Sequence, residues 1–93
     1  MKNPIEIKEG TILVATKVQN AACGSNYIKQ GSILKVSRDK EEWRDRVKVF
    51  RNKEEENDYN WRAIDLDKVR FATSVEEQMW NKEMYFVESV KTI

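Results

Sequence analysis

Residues 7–16 read I-K-E-G-T-I-L-V-A-T, and residues 28–37 read I-K-Q-G-S-I-L-K-V-S. The pairs Ile7/Ile28, Lys8/Lys29, Gly10/Gly31, Ile12/Ile33 and Leu13/Leu34 are identical at a fixed offset of 21 residues. Thr11/Ser32 and Thr16/Ser37 are close substitutions. Each copy sets a glycine ahead of an apolar run, the pattern of a strand entered from a tight bend. One reading is an internal duplication with two equivalent sites. The other is two strands of one sheet that begin with the same bend, and it is favoured because glycine plus alternating apolar residues is all such an entry needs. No third copy follows, which excludes a solenoid.

Working outward, residues 11–18 predict a first strand, with Ile12, Val14, Thr16 and Val18 on one face and Leu13, Ala15 and Lys17 on the other. Residues 19–27 are small, polar and turn-prone and predict a loop. Ser32–Ser37 is a second strand. Residues 43–51, W-R-D-R-V-K-V-F-R, alternate around Val47 and Val49 and predict a third. The charged run N-K-E-E-E-N-D at 52–58 predicts a solvated hairpin loop. Residues 59–64 predict a fourth strand, with Tyr59, Trp61 and Ala63 on one face. Asp65–Lys68 reads as a tight turn and Val69–Ala72 as a short fifth strand.

At Thr73 the period changes. Ser74 with Glu77 three residues on forms an S-x-x-E capping box. Val75, Met79, Met84, Val87 and Val90 fall on one helical stripe with Trp80 at its edge, predicting a helix from about 75; from Met84 the chain continues as helix or turns into a last strand, and helix to about 88 is preferred. The stripe packs on the sheet or pairs with a second copy as a homodimer. The expected fold is mostly β (α+β): a five-stranded small barrel with a C-terminal helix. The 93 residues form one domain, with the barrel at 7–72 and the helix and tail at 73–93.

The strand order, with its long first loop, late hairpin loop and tight turn before the last strand, resembles that of SH3 domains. I-K-Q-G-S-I-L-K-V-S looks like the second-strand entry of that family. The resemblance covers residues 7–72 and implies an SH3-like barrel. Trp43 matches the family's tryptophan at the start of the third strand. Of the first-loop aromatics of its peptide groove only Tyr27 is offered here, and no proline follows Trp43, so binding of proline-rich peptides is not implied. The stretch R-F-A-T-x-x-E-E at 70–77 is similar to the strand-to-helix junction of short phage and mobile-element proteins. The Lys-, Glu-, Asn- and Ile-rich composition suits an AT-rich genome of that kind.

Composition narrows the function classes. Net charge is +1, from 17 basic and 16 acidic residues, which argues against a purely electrostatic nucleic-acid binder. Histidine is absent and Cys23 stands alone, removing the commonest general base, the usual zinc ligand sets and any internal disulfide. Cys23 has no histidine to activate it, and Asp65 and Asp67 read as turn residues bonding backbone N–H groups. No cofactor and no enzymatic activity are expected. The N-terminus has no apolar h-region and no stretch suits a membrane span, so a cytoplasmic setting is expected.

Two binding faces remain. Trp43, Tyr59 and Trp61, residue types enriched at interface hot spots, stand beside the acidic run Glu54, Glu55, Glu56 and Asp58. They suggest a protein partner, bound stoichiometrically, as by a phage accessory protein that inhibits a host protein; an anti-CRISPR inhibitor is one concrete form. The alternative is nucleic acid. Arg44, Arg46, Lys48 and Phe50 would share the outer face of the third strand and suit a phosphate backbone with a stacked base.

Overall fold

The computed structural model describes residues 7–20, 27–37 and 46–88. Trp43, Arg44, Cys23 and Val90 lie outside them. The described chain is mostly β. It comprises β1 (Ile12–Ala15), β2 (Gln19–Asn20), β3 (Tyr27–Ile28), β4 (Ile33–Val36), β5 (Arg46–Phe50), α1 (Lys53–Asp58), β6 (Arg62–Asp65), β7 (Val69–Phe71) and α2 (Ser74–Asn81), with a 3-10 turn at Leu66–Lys68. Five strands form one antiparallel sheet in the order β6-β5-β4-β1-β7, and β2 pairs with β3 alone inside what was expected to be a loop.

The two sequence copies meet as direct neighbours. β1 and β4 pair antiparallel with Leu13 opposite Leu34, so equivalent residues lie across a local pseudo-twofold axis. The surrounding hydrogen bonds obey the same symmetry. Gly10 N donates to Val36 O at 2.9 Å, and Gly31 N donates to Ala15 O at 2.8 Å. Val36 N donates to Thr11 O at 2.9 Å, and Ala15 N donates to Ser32 O at 3.0 Å. Each copy begins with a turn closed by Thr11 N to Lys8 O at 3.2 Å or Ser32 N to Lys29 O at 3.1 Å. The third residue of each turn is the glycine, with φ of 79° at Gly10 and 94° at Gly31, a region other L-residues enter only at a cost.

The apolar runs are continuous because the sheet is covered on both sides. Leu13, Ala15, Leu34, Val36, Val47, Val49 and Ile64 join Ile7, Ile28, Leu66 and Val69 in one core. Ile12, Val14, Ile33 and Phe50 turn to the opposite face and pack with Trp80 of α2 in a second. Partly buried Trp61, Ala72, Met79, Tyr85 and Val87 border that second core.

The expected barrel does not close among the described residues: the edge strands β6 and β7 do not pair with each other. The 3-10 turn separates them. It buries Leu66, and Lys68 O accepts from Thr16 N at 2.8 Å, which hands the chain across to β1. The turn itself is held as the sequence suggested, with Asp65 Oδ1 accepting from Asp67 N at 2.9 Å. Further departures fall at element ends. Val18 is exposed, Tyr59 precedes its strand, and β6 starts at Arg62.

The C-terminal helix is shorter than expected and is capped one residue earlier. Thr73, not Ser74, is the N-cap, and its box partner is Glu76, not Glu77. Thr73 N donates to Glu76 Oε1 at 2.8 Å. The buried helix residues are Glu76 and Trp80, while Val75 of the expected stripe is 68% exposed. α2 ends at Asn81, and Glu83 enters the left-handed region at φ 59°. The chain then runs extended. Ile33 N donates to Tyr85 O at 2.9 Å and Val87 N to Gly31 O at 2.8 Å, so residues 85–87 line the start of β4. Among the described residues no helix is long and apolar enough to cross a membrane.

One ion pair fastens α2 to β7. Arg70 grips Glu76 with two hydrogen bonds of 2.8 Å, and its Nη1 also donates to Phe71 O at 3.0 Å. The Arg70 guanidinium, aided by the Thr73 amide, holds the Glu76 carboxyl well below its ordinary 4.5, at about 2. A depressed carboxylate stabilises the fold fully above its ordinary value, and that contribution is lost as pH falls toward the folded value. Urea unfolding as a function of pH should therefore show stability dropping between about pH 4.5 and 2, by on the order of 2 kcal/mol. The Glu76→Gln variant should be less stable at neutral pH and flatter across that window. A Glu76→Gln profile parallel to the wild type would show that other carboxylates set the acid limb.

Candidate functional site

The acidic run is not a loop. Asn52 caps a helix, its Oδ1 accepting from Glu55 N at 2.8 Å. Glu54, Glu55 and Glu56 fill the first turn, where negative charge is favoured by the exposed N–H groups. The signal was present as Asn52 followed three residues later by Glu55. At the far end Tyr59 takes the left-handed C-cap position at φ 55°, with its N–H turned back to Glu55 and Glu56 carbonyls. A left-handed tyrosine is an uncommon conformation held by its surroundings.

α1 is fastened at three places. Glu55 is buried, and its carboxylate accepts from Arg51 N and Nε at 2.9 Å each and from Arg51 Nη2. Arg62 Nη2 stands 3.4 Å from the same carboxylate. Burial pushes the Glu55 carboxyl up, but the Arg51 hydrogen bonds and the two cations outweigh it, so it sits below the ordinary range. Glu56 forms a 2.7 Å ion pair with Lys35 of β4. Lys53 N donates to Tyr85 Oη at 3.2 Å and Lys53 Nζ to Asn81 O at 3.1 Å, tying α1 to the end of α2.

The expected protein-binding residues are thus divided. Glu54, Asp58 and Tyr59 are exposed on or beside α1, and Glu56 is half-buried. Glu55 is internal and serves the helix anchor. Trp61 is half-buried at the border of the second core, with Lys48 Nζ 4.3 Å from its ring centroid. Trp43 lies outside the described residues. The Tyr59 ring meets Phe50 at 6.1 Å in a tilted arrangement.

Of the expected nucleic-acid residues, Arg46, Lys48 and Phe50 share one face of β5, but α2 and Trp61 cover most of it. Lys48 is 5% and Phe50 4% exposed. Arg46 is exposed, directly opposite Asp65 in the ladder. Arg44 lies outside the described residues. The reason is the second core: an alternating strand with both faces covered has no solvated side to offer.

Sequence reasoning missed a cleft. The turn at Glu9 and Gly10, Lys35 of β4 and the α1 residues Glu56 and Asn57 enclose a cavity of about 480 Å³ against Phe50 and Tyr59. It exists only because 52–58 is a helix standing over the sheet, which the loop reading did not foresee.

Among known proteins, no family model, no curated protein and no solved structure matches this chain.

The two arginines at Glu55 are unequal. Arg51 binds it with three hydrogen bonds, whereas Arg62 is buried with its Nε lacking a hydrogen-bond partner. A buried orphan donor costs stability, and the single long hydrogen bond of 3.4 Å from Arg62 Nη2 to Glu55 returns little of it. Arg62→Met should change the unfolding free energy by less than about 1 kcal/mol, and Arg51→Met should cost about 3 kcal/mol by leaving Glu55 poorly compensated. Equal losses in denaturant titrations would refute this division of roles.

Proposed function

We propose that the chain is a non-enzymatic protein-binding module that presents the face formed by α1, Tyr59 and Trp61 to a protein partner. The observation that carries this reading is the rigid display of α1. A six-residue helix is too short to persist alone. Here it is capped, anchored through Glu55 and tied to both β4 and α2, so Glu54, Asp58 and Tyr59 are held in one arrangement. A pre-organised face with an aromatic anchor and a charged rim suits partner recognition, because little ordering cost remains for the binding step.

The five-strand order, in which the last strand returns to the first, supports reading the framework as an open SH3-like sheet. The stretch at 70–77 and the composition support a small phage or mobile-element accessory protein acting stoichiometrically in the cytoplasm, of which an anti-defence inhibitor is one form. The nucleic-acid alternative has weaker support, since Lys48 lies against Trp61 and Phe50 lies in the core. The homodimer alternative has less apolar surface to use, since Trp80 of α2 is buried against its own sheet.

The test is quantitative affinity capture from a bacterial lysate with the wild type and with Glu54→Lys/Asp58→Lys and Tyr59→Ala variants. The reading predicts a protein retained by the wild type and depleted roughly tenfold or more on each variant. Capture that is indifferent to these changes, or gel shifts with DNA or RNA that survive them, would refute it.

A further inference from the structure

We infer that the cleft between β4 and α1 receives a cationic side chain, arginine or lysine, of the protein partner; this rests on the protein-binding reading above. The cavity of about 480 Å³ is roomy enough for a long side chain. Phe50 and Tyr59 supply an aromatic lining for an alkyl stem, and Tyr59 adds a ring face that attracts cations. A Cβ added at Gly10 would meet nothing within 4 Å, so the wall on that side is open.

The charges at the lining select the sign of the occupant. Glu9 and Glu56 contribute two carboxylates against the single ammonium of Lys35, leaving an excess negative charge. Lys35 is already committed to Glu56 at 2.7 Å, whereas Glu9 has no ion-pair partner among the described residues. Lys35 also shows how the cleft treats a cation: its side chain is only 29% exposed, with the ammonium set against Glu56. An incoming guanidinium or ammonium would engage Glu9 and compete with Lys35 for Glu56. An anionic occupant would instead need Lys35 and would meet Glu9 as a repulsive neighbour.

The competition makes the inference testable with small probes on the whole protein. N-acetyl-L-arginine amide is titrated against the ¹⁵N-labelled chain, with acetate and inorganic phosphate as anionic controls. Saturable shifts are expected at the Gly10, Lys35, Glu56 and Tyr59 amides for the arginine probe only. Lys35→Met should tighten its binding about two- to fivefold by freeing Glu56 from a partly exposed ion pair. Glu9→Gln should weaken it, and neither substitution touches the core. The inference is overturned if the arginine probe moves none of these amides up to about 50 mM. It is equally overturned if phosphate or acetate moves them and Lys35→Met abolishes the effect. A silent cleft alongside a captured partner that Glu54→Lys/Asp58→Lys releases would sink the cleft and leave the α1 face standing. Arginine binding in the cleft with partner capture that Glu9→Gln and Tyr59→Ala leave unchanged would show that the cleft does not hold the partner's cation, and would overturn the inference.

Discussion

The structure depends on the antiparallel pairing of β1 with β4 about Leu13 and Leu34. This pair is the centre of the five-stranded order, with β7 beyond β1 and β5 and β6 beyond β4. Its two faces seed two cores at once, Leu13, Ala15, Leu34 and Val36 on one side and Ile12, Val14 and Ile33 on the other, with Lys35 as the one charged residue of the pair. The glycine turns at Gly10 and Gly31 set the register. Each delivers its strand from a positive φ and donates its own N–H to the partner strand. A slip of one residue would exchange the two faces and place Lys35 among the aliphatic residues of the first core.

The outer elements follow from that centre. The second face, carrying Ile12, Val14, Ile33 and Phe50, needs a cover, and α2 provides Trp80 for it. The Trp80 ring then meets Tyr85 edge-on at 5.1 Å, and the extended segment at 85–87 lines the start of β4. Tyr85 in turn receives Lys53 N, which ties α1 to the same cover. The proposed binding face is therefore the last layer of a chain of dependencies: repeat, second core, C-terminal segment, short acidic helix. α1 stands over the sheet only while the layers beneath it hold, and the cleft exists only while α1 stands.

Much of this was legible in the sequence, and the failures share a cause. The five strands of the main sheet were placed because Gly10, Gly31 and the alternation around Val47 and Val49 are local signals. The α2 start is legible to within one residue because Thr73 and Ser74 both qualify as caps; Thr73 takes the position, with Glu76 closing the box and held by Arg70. What a local reading missed was the second core. Treating the face opposite Val47 and Val49 as solvent-facing made Lys48 and Phe50 look like a ligand surface. Neither side chain's environment is set by its own strand; Trp61 and Trp80 arrive from elsewhere to cover them. The same blindness turned 52–58 into a loop. Its acids read as solvated charge, although Asn52 and Glu55 carry a cap signature and Arg51 and Arg62 supply the counter-charge. The barrel failed to close for a comparable reason, since the 3-10 turn after Asp65 sends β7 across to β1 rather than back along β6.

Native-state hydrogen exchange tests the central claim most directly, because it ranks local openings by free energy. If the β1–β4 pairing is the constraint on which the rest depends, the Ala15 and Val36 amides, which donate to Ser32 and Thr11, exchange only through global unfolding and do so equally. The α1 amides of Glu56 and Tyr59 then exchange through smaller openings that leave the pair intact. Ala15 and Val36 exchanging as readily as Glu56, or α1 remaining protected after the β1–β4 amides have exchanged, would contradict the account.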